Sequence, residues 1–309
     1  MILDVIGSMF VLPNRFLVKL DANNDYFKTY QPHLGVLRVT VDKATGISGP
    51  KKSGAKRLLQ KLVKDVPDCY CSVHVGTDKD AWRTKTVKNQ LEPAWGETHD
   101  FLVADHEQVL VIDVDDEDMG GDDDIGVATT SVKQLLLAGG TQELELKHDG
   151  ATTEAKVTVH AKFYKLVPDA ASFKGDDHRG EGKLCGVATV LVGSVLGLQG
   201  DRDKLNPSVK VTWADQTLAT AAKSYSPGVD IFNPSYDQAF NLPITADRAA
   251  QDAAFRVALL NGKDEAGAID IPFADVLNAP GMSLEQKFDV GSGATIRASI
   301  TLRGTQLAE

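Results

Sequence analysis

Strict alternation of apolar and polar residues constrains this chain more than any other feature of its sequence. Leu37, Val39 and Val41 alternate with polar neighbours, which places all three side chains on one face of an extended strand. Further alternating segments begin at Cys69, Leu110, Ala155, Val209, Phe255 and Ile296. Many short strands with one polar face predict an all-β chain that folds as two antiparallel β-sandwiches.

The alternating segments fall into two groups that follow the same plan. We expect a first domain at residues 31–166 and a second at residues 183–309, each long enough for its own core. Residues 167–182 between them are polar and contain glycine, a composition typical of linkers. Helix is predicted at one place in this β-rich plan. From Ser53 to Val66, apolar residues at helical spacing predict a short helix inserted between the first two strands.

A dense acidic run follows one of the predicted strands. Seven of the ten residues from Asp115 to Asp124 are acidic, and none of the ten is basic. Folding holds these carboxylates together against their mutual repulsion, and a hard cation with oxygen ligands relieves that repulsion. Asp116 and Asp118 point the same way if the loop continues the strand. The run therefore predicts a Ca²⁺ loop, and the alternative is a solvated acidic turn without a metal.

Bulk composition narrows the possible functions. The chain has 309 residues and a net charge of −10, so we expect no nucleic-acid partner, and binding to anionic lipid requires a local basic patch. We expect no transmembrane helix and no signal peptide, since no apolar stretch is long enough and the N-terminus lacks a basic start. Cys69, Cys71 and Cys185 form no disulfide framework, and these features together favour the cytosol. We expect no enzymatic activity, because no zinc-ligand pair, nucleophile elbow or phosphate loop is present.

Three separated motifs resemble the C2-domain family. The stretch from Arg83 to Glu97 resembles the pattern in which a basic strand leads to Asn-x-x-x-Pro-x-Trp-x-Glu. The acidic run with Ile125 and Gly126 after it resembles the third Ca²⁺-binding loop of C2 domains, and residues 67–70 stand where the family has Ser-Asp-Pro-Tyr in its first loop. The resemblance implies two eight-stranded C2-type sandwiches, Ca²⁺ as cofactor and an anionic phospholipid membrane as partner.

The same resemblance implies a set of metal ligands. The implied Ca²⁺ ligands are Asp68 from the first loop and Asp116, Asp118 and Asp123 from the third, with Asp122 and Asp124 as competitors for the last role. The family usually supplies a further first-loop Asp upstream, whereas the matching stretch near Lys56 is basic. Because fewer carboxylates bind fewer ions or bind them more weakly, we expect one or two Ca²⁺ ions.

Two groups of basic residues are candidates for contact with anionic lipid. Each well-placed cation contributes about 1 kcal/mol at an anionic membrane surface. The alternative for both groups is plain solvation. The candidates are Lys51, Lys52, Lys56, Arg57, Lys61 and Lys64 in the insertion, and Arg83, Lys85 and Lys88 on the basic strand.

The second domain lacks the acidic set of the first. Asn206 replaces the first-loop Asp, and Asn261-Gly262-Lys263 replaces the Asp-x-Asp step of the third loop. An amide brings no charge to offset dehydration of the ion, and Lys263 repels it. We therefore expect a Ca²⁺-independent second domain with a structural or protein-binding role.

A further resemblance concerns residues 1–30 and the insertion. Residues 11–15 resemble the last element of an SMP lipid-transfer domain, and the elongated first loop is similar to that of the extended synaptotagmins and tricalbins. This resemblance implies a tail of an SMP domain at residues 1–30. It also implies Ca²⁺-regulated membrane binding on the cytoplasmic face, in tethering of the endoplasmic reticulum to the plasma membrane and in lipid transfer. The alternative function is a Ca²⁺-independent protein-interaction scaffold built of two C2 sandwiches.

Overall fold

The computed structural model describes residues 33–48, 66–76, 81–118, 121–173, 184–251 and 253–308. The predicted helical insertion up to Asp65, the six cations from Lys51 to Lys64, and the predicted SMP tail lie outside these residues. The first eight strands are β1 Gly35–Thr45, β2 Cys69–Val75, β3 Trp82–Arg83, β4 Ala94–Val103, β5 Val109–Asp116, β6 Asp123–Ser131, β7 Thr141–His148 and β8 Ala151–Val167, with helix α1 at Val132–Leu137. The next eight are β9 Leu184–Leu196, β10 Pro207–Trp213, β11 Gln216–Ala219, β12 Ser235–Thr245, β13 Ala254–Asn261, β14 Asp264–Pro272, β15 Ser283–Asp289 and β16 Thr295–Leu307, with helices α2 at Ala246–Ala250 and α3 at Phe273–Asn278.

The chain divides into two units whose strands follow the same order. In the first, β4-β1-β8-β7 form one layer and β6-β5-β2-β3 the other. In the second, the layers are β12-β9-β16-β15 and β14-β13-β10-β11. All the pairings within these layers are antiparallel. The prediction of two eight-stranded antiparallel sandwiches is confirmed.

The alternating apolar residues form the two cores. Each alternating segment of the sequence lies in a strand, and inward residues such as Val39, Cys71 and Ile112 in the first unit are fully buried. In the second unit the buried Trp213 ring stacks on Phe255 with their centroids 4.3 Å apart. Burial of this apolar surface, at about 25 cal/mol per Å², holds each pair of sheets together.

The second core reaches into the segment that the sequence assigns to the linker. Ala170–Phe173 forms a 3-10 helix, and the Phe173 ring lies buried with its centroid 5.5 Å from that of Phe273. Gly186 makes room for this ring, because a Cβ atom there would lie 2.4 Å from it. The segment is polar overall, but its one large apolar residue, Phe173, packs into the second core. The second unit therefore begins earlier than residue 183.

Three strand ends meet at one end of the first unit. Cys69, the first residue of β2, lies opposite Asp116, the last residue of β5. Asp116 in turn lies opposite Asp123, the first residue of β6. The residues just before β2 and the loop between β5 and β6 therefore come together, and these segments carry the predicted metal ligands.

Candidate functional site

Asp68 and Asp116 are joined directly. Asp116 is only 4% exposed, and its Oδ1 accepts the backbone N–H of Asp68 at 2.7 Å. The backbone N–H of Glu117 donates in return to the carbonyl oxygen of Asp68 at 2.9 Å. Two of the predicted ligands, separated by 48 positions along the chain, are thus fixed side by side.

Asn89 fixes the Asp68 carboxylate from the loop after β3. Its backbone N–H donates to Asp68 Oδ1 at 2.8 Å. Asn89 has a left-handed φ of 55°, a conformation that asparagine tolerates better than most residues. Trp95 makes a second contact with the first loop, since its Nε1–H donates to the carbonyl oxygen of Cys69 at 3.2 Å. The Asn and Trp of the motif therefore position the first loop, a role that the sequence pattern did not reveal.

Asp122 lies within the acidic loop and is held from two directions. Its Oδ1 accepts the backbone N–H of Asp118 at 3.3 Å. Its Oδ2 accepts the hydroxyl of Tyr70 at 2.7 Å, and this hydrogen bond is the main reason that the pKa of Asp122 is lowered. Burial, with this bond to a carboxylate, raises the pKa of the Tyr70 phenol well above its usual value.

Asp124 belongs to a different group of acids from the other predicted ligands. One carboxylate oxygen of each of Asp113, Asp115 and Asp124 lies within 4.8 Å of the others. The imidazole Nδ1 of His148 lies 3.1 Å from Asp124 Oδ2. Burial, and then the charge of Asp113, raises the pKa of Asp115 to about 6. Asp113 and Asp115 alternate with the buried Ile112 and Val114, which is the sequence signal that they face the opposite side of β5 from Asp116.

The predicted lipid-binding residues of the first unit differ in their surroundings. Arg83 lies in β3, but the prediction that Lys85 and Lys88 lie on the same strand is wrong, because β3 ends at Arg83. The side-chain hydroxyl of Thr84 accepts the N–H of Cys71 at 2.9 Å, in place of a ladder carbonyl. Lys85 and Lys88 are exposed in the following loop. Lys51, Lys52, Lys56, Arg57, Lys61 and Lys64 lie outside the described residues.

Arg83 does not simply point to solvent. Its Nη2 lies 2.6 Å from Glu117 Oε1, and its guanidinium carbon lies 3.4 Å from the centroid of the Tyr70 ring. This cation therefore contacts the acidic loop itself. Within the part of the chain that the structure describes, no helix is long and apolar enough to cross a bilayer.

The second unit repeats the geometry of the Asp68 and Asp116 pair with amides. Asn261 Oδ1 accepts the backbone N–H of Asn206 at 2.7 Å, and the N–H of Gly262 donates to the carbonyl oxygen of Asn206 at 2.9 Å. Asn206 and Asn261 thus occupy the positions that the sequence assigned to them. Among the nearby acids, Glu265 Oε1 lies 2.7 Å from Arg256, and Asp201 Oδ2 lies 3.5 Å from Lys204.

Sequence comparison identifies the family. The family model described as C2 domain matches residues 35–147 and 186–288, and the chain therefore belongs to the C2-domain family. It is similar to extended synaptotagmin-1 of Mus musculus, with 27% identity over 94% of this chain and 26% of that protein. It is also similar to extended synaptotagmin-2 of Mus musculus, with 26% identity over 98% of this chain and 36% of that protein. The predicted resemblance to the extended synaptotagmins is confirmed, and the chain spans about a quarter to a third of the length of these relatives.

Solved structures agree on the tandem arrangement of the fold. A calcium-bound structure of two C2 domains of extended synaptotagmin 2 matches with a TM-score of 0.72 and 20% identity, over 91% of this chain and all of that one. A structure of the SMP domain of the same protein together with these two C2 domains matches with a TM-score of 0.68 and 21% identity, over 90% of this chain and 58% of that one. These likenesses show the fold, which is a tandem pair of C2 sandwiches.

Proposed function

We propose that the first C2 domain binds Ca²⁺ through Asp68, Asp116, Asp118 and Asp123 and thereby attaches the chain to anionic phospholipid membranes. The observation that carries this proposal is the hydrogen-bonded pair of Asp68 and Asp116, which keeps a nearly buried carboxylate at the junction of two loops. Keeping such a carboxylate ionised away from water is costly, and a bound cation offsets that cost.

The residues present suit Ca²⁺. It takes six to eight oxygen ligands from carboxylates and carbonyls in flexible geometry, and strand ends and loops supply both. Bound Ca²⁺ would supply positive charge that neutralises the loop, so that the tip no longer repels anionic headgroups. Without an upstream first-loop Asp we expect dissociation constants of roughly 10⁻⁵–10⁻⁴ M for one or two ions.

Exposed cations would extend the membrane contact. Lys85 and Lys88 are exposed near Asn89, whose N–H holds the Asp68 carboxylate. The six cations of the insertion are proposed on sequence alone as a second contact. Exposed charges are screened over about 8 Å at physiological ionic strength, so this contribution falls as salt rises.

The second C2 domain would act without Ca²⁺. Its Asn206 and Asn261 keep the backbone link of the first domain but bring no charge to a cation. We propose a structural or protein-binding role for it. The likeness to extended synaptotagmins further supports a role on the cytoplasmic face of membranes, in tethering the endoplasmic reticulum to the plasma membrane and in lipid transfer, with no catalytic step in this chain.

Vesicle sedimentation tests the proposal. The chain is expected to sediment with phosphatidylcholine vesicles that contain phosphatidylserine in Ca²⁺ but not in chelator, and Asp116→Asn should abolish the difference. Asp105→Asn is the matched control: it removes the same charge at the opposite end of β5, and an asparagine oxygen can still accept the N–H of Glu107 that Asp105 accepts at 2.9 Å. Equal sedimentation with and without Ca²⁺ would contradict the proposal and favour the Ca²⁺-independent scaffold.

A further inference from the structure

Tyr70 and Arg83 link the two flanks of the acidic loop. Arg83 binds Glu117 at 2.6 Å, on the side where the chain leaves β5. Tyr70 binds Asp122 at 2.7 Å, on the side where the chain enters β6. The Arg83 guanidinium stacks on the Tyr70 ring at 3.4 Å, which closes the connection between these two bonds. We call these four residues the loop clasp.

The loop clasp includes only one of the three consecutive aspartates 122–124, which lie where the acidic loop enters β6. Asp122 has both oxygens engaged, by Tyr70 and by the N–H of Asp118. Asp124 faces the other side of the strand, beside Asp113 and His148. Asp123 is the aspartate that lies directly across from Asp116, because the two are partners in the strand register.

We propose that Tyr70 and Arg83 are positioning residues of the Ca²⁺ site, which hold Asp122 out of the coordination shell and leave the ligand role to Asp123. This inference rests on the proposed function of the first C2 domain. Neither residue contacts the ion; each acts through a loop carboxylate that it fixes.

The physical reason is preorganisation. Consecutive carboxylates repel one another and would otherwise spread over many conformations, each of which the ion would have to reorganise at a cost in affinity. Tyr70 is only 6% exposed and sits in the regular strand β2, so its hydroxyl is a fixed anchor. Groups that orient metal ligands typically change metal affinity by 10- to 100-fold when they are removed.

Calorimetric titration of the full chain with Ca²⁺ tests this assignment. Tyr70→Phe and Asp122→Ala should each weaken binding about tenfold. Asp122→Asn should restore affinity to within about threefold of the parent, because the amide oxygen still accepts from Asp118 while its NH₂ group donates to the Tyr70 hydroxyl. The double variant Tyr70→Phe with Asp122→Ala should lose about tenfold in total, since the two residues act as one unit. Asp123→Asn should abolish binding.

The outcomes separate the clasp from the proposed function. Absence of binding heat in the parent overturns both. If the parent binds Ca²⁺ and Tyr70→Phe binds it with the same affinity, the clasp alone is overturned. The clasp is also overturned if Asp122→Asn loses as much Ca²⁺ affinity as Asp123→Asn does, because Asp122 would then be a ligand. Melting curves in chelator monitor folding, and rescue by Asp122→Asn separates positioning from a general loss of stability.

Discussion

The substitution Asp116→Asn separates the proposed ligand role of this residue from its hydrogen bond to the Asp68 N–H. Asn261 in the second domain already shows that an amide oxygen accepts the loop N–H at the same distance of 2.7 Å as the Asp116 carboxylate does. A bond to a charged group is worth about 1.5–3 kcal/mol and a neutral one about 1 kcal/mol. The variant loses the difference between these two hydrogen-bond free energies, but removal of one negative charge weakens the repulsion among the loop carboxylates and offsets that loss. We therefore expect the melting temperature in chelator to change by only a few degrees.

Ca²⁺ should stabilise the parent chain but not the Asp116→Asn variant. A ligand at a hundredfold excess over its dissociation constant stabilises the native state by about 2.7 kcal/mol. For a domain of this size that corresponds to a rise of roughly 10 °C in the melting temperature. Differential scanning calorimetry in millimolar Ca²⁺ and in chelator should show this rise for one transition of the parent and none for Asp116→Asn.

Asp116→Ala completes the comparison. It removes the acceptor as well as the charge, so the Asp68 N–H loses its partner at a cost of about 1–3 kcal/mol. The melting temperature in chelator should then fall clearly below that of Asp116→Asn. A full Ca²⁺ shift in Asp116→Asn would refute the ligand role, and equal melting of the Asn and Ala variants in chelator would refute the role of the hydrogen bond.

Three further measurements test other parts of the proposal. Titration of the Asp116→Asn chain with Ca²⁺ should give no residual heat, because the second domain offers Asn261 in the corresponding place; residual heat would reveal a second site. Replacement of Lys85 and Lys88 by Gln should weaken vesicle binding at low salt and have little effect at high salt, and unchanged binding at low salt would leave these lysines merely solvated. In chelator the parent should lose stability relative to Asp115→Asn as the pH rises from about 4 to about 6. The reason is that the folded state holds the Asp115 proton more tightly than the unfolded state does, since folding raises the pKa of Asp115 to about 6. A difference in melting temperature between the parent and Asp115→Asn that stays constant over this pH window would contradict the argument.

The strands and the acidic loop were predictable because their signals are local. Period-two alternation marks the buried face of a strand whatever it pairs with, and Leu37, Val39 and Val41 are all fully buried as expected. A dense run of carboxylates after a strand is likewise visible within ten residues. The Ca²⁺ ligands themselves remain a prediction, supported by the link between Asp68 and Asp116.

The contacts that organise the loop were not predictable because they depend on register. Tyr70 and Asp122 are 52 positions apart, and a shift of one residue in the register of β2 would turn Tyr70 to the other face. The separation of Asp124 from Asp123 follows from the same alternation but required the strand to begin at Asp123. Phe173 escaped prediction since a single apolar residue carries no periodicity.

The two C2 domains form an internal comparison of geometry and charge. Asp68 with Asp116 and Asn206 with Asn261 make the same side-chain link at 2.7 Å, so the link between the loops does not require a carboxylate. Charge at this position is therefore a separate property, added to a shared frame in one domain only. The turn between β13 and β14 has only Gly262 and Lys263, where the first domain has a long acidic loop. Substitution of Asn206 and Asn261 by Asp would therefore add repulsion without supplying a counterpart of Asp118. Loop length and charge together, on an otherwise equal frame, are therefore the grounds on which we propose Ca²⁺ binding for the first domain and Ca²⁺-independent contacts for the second.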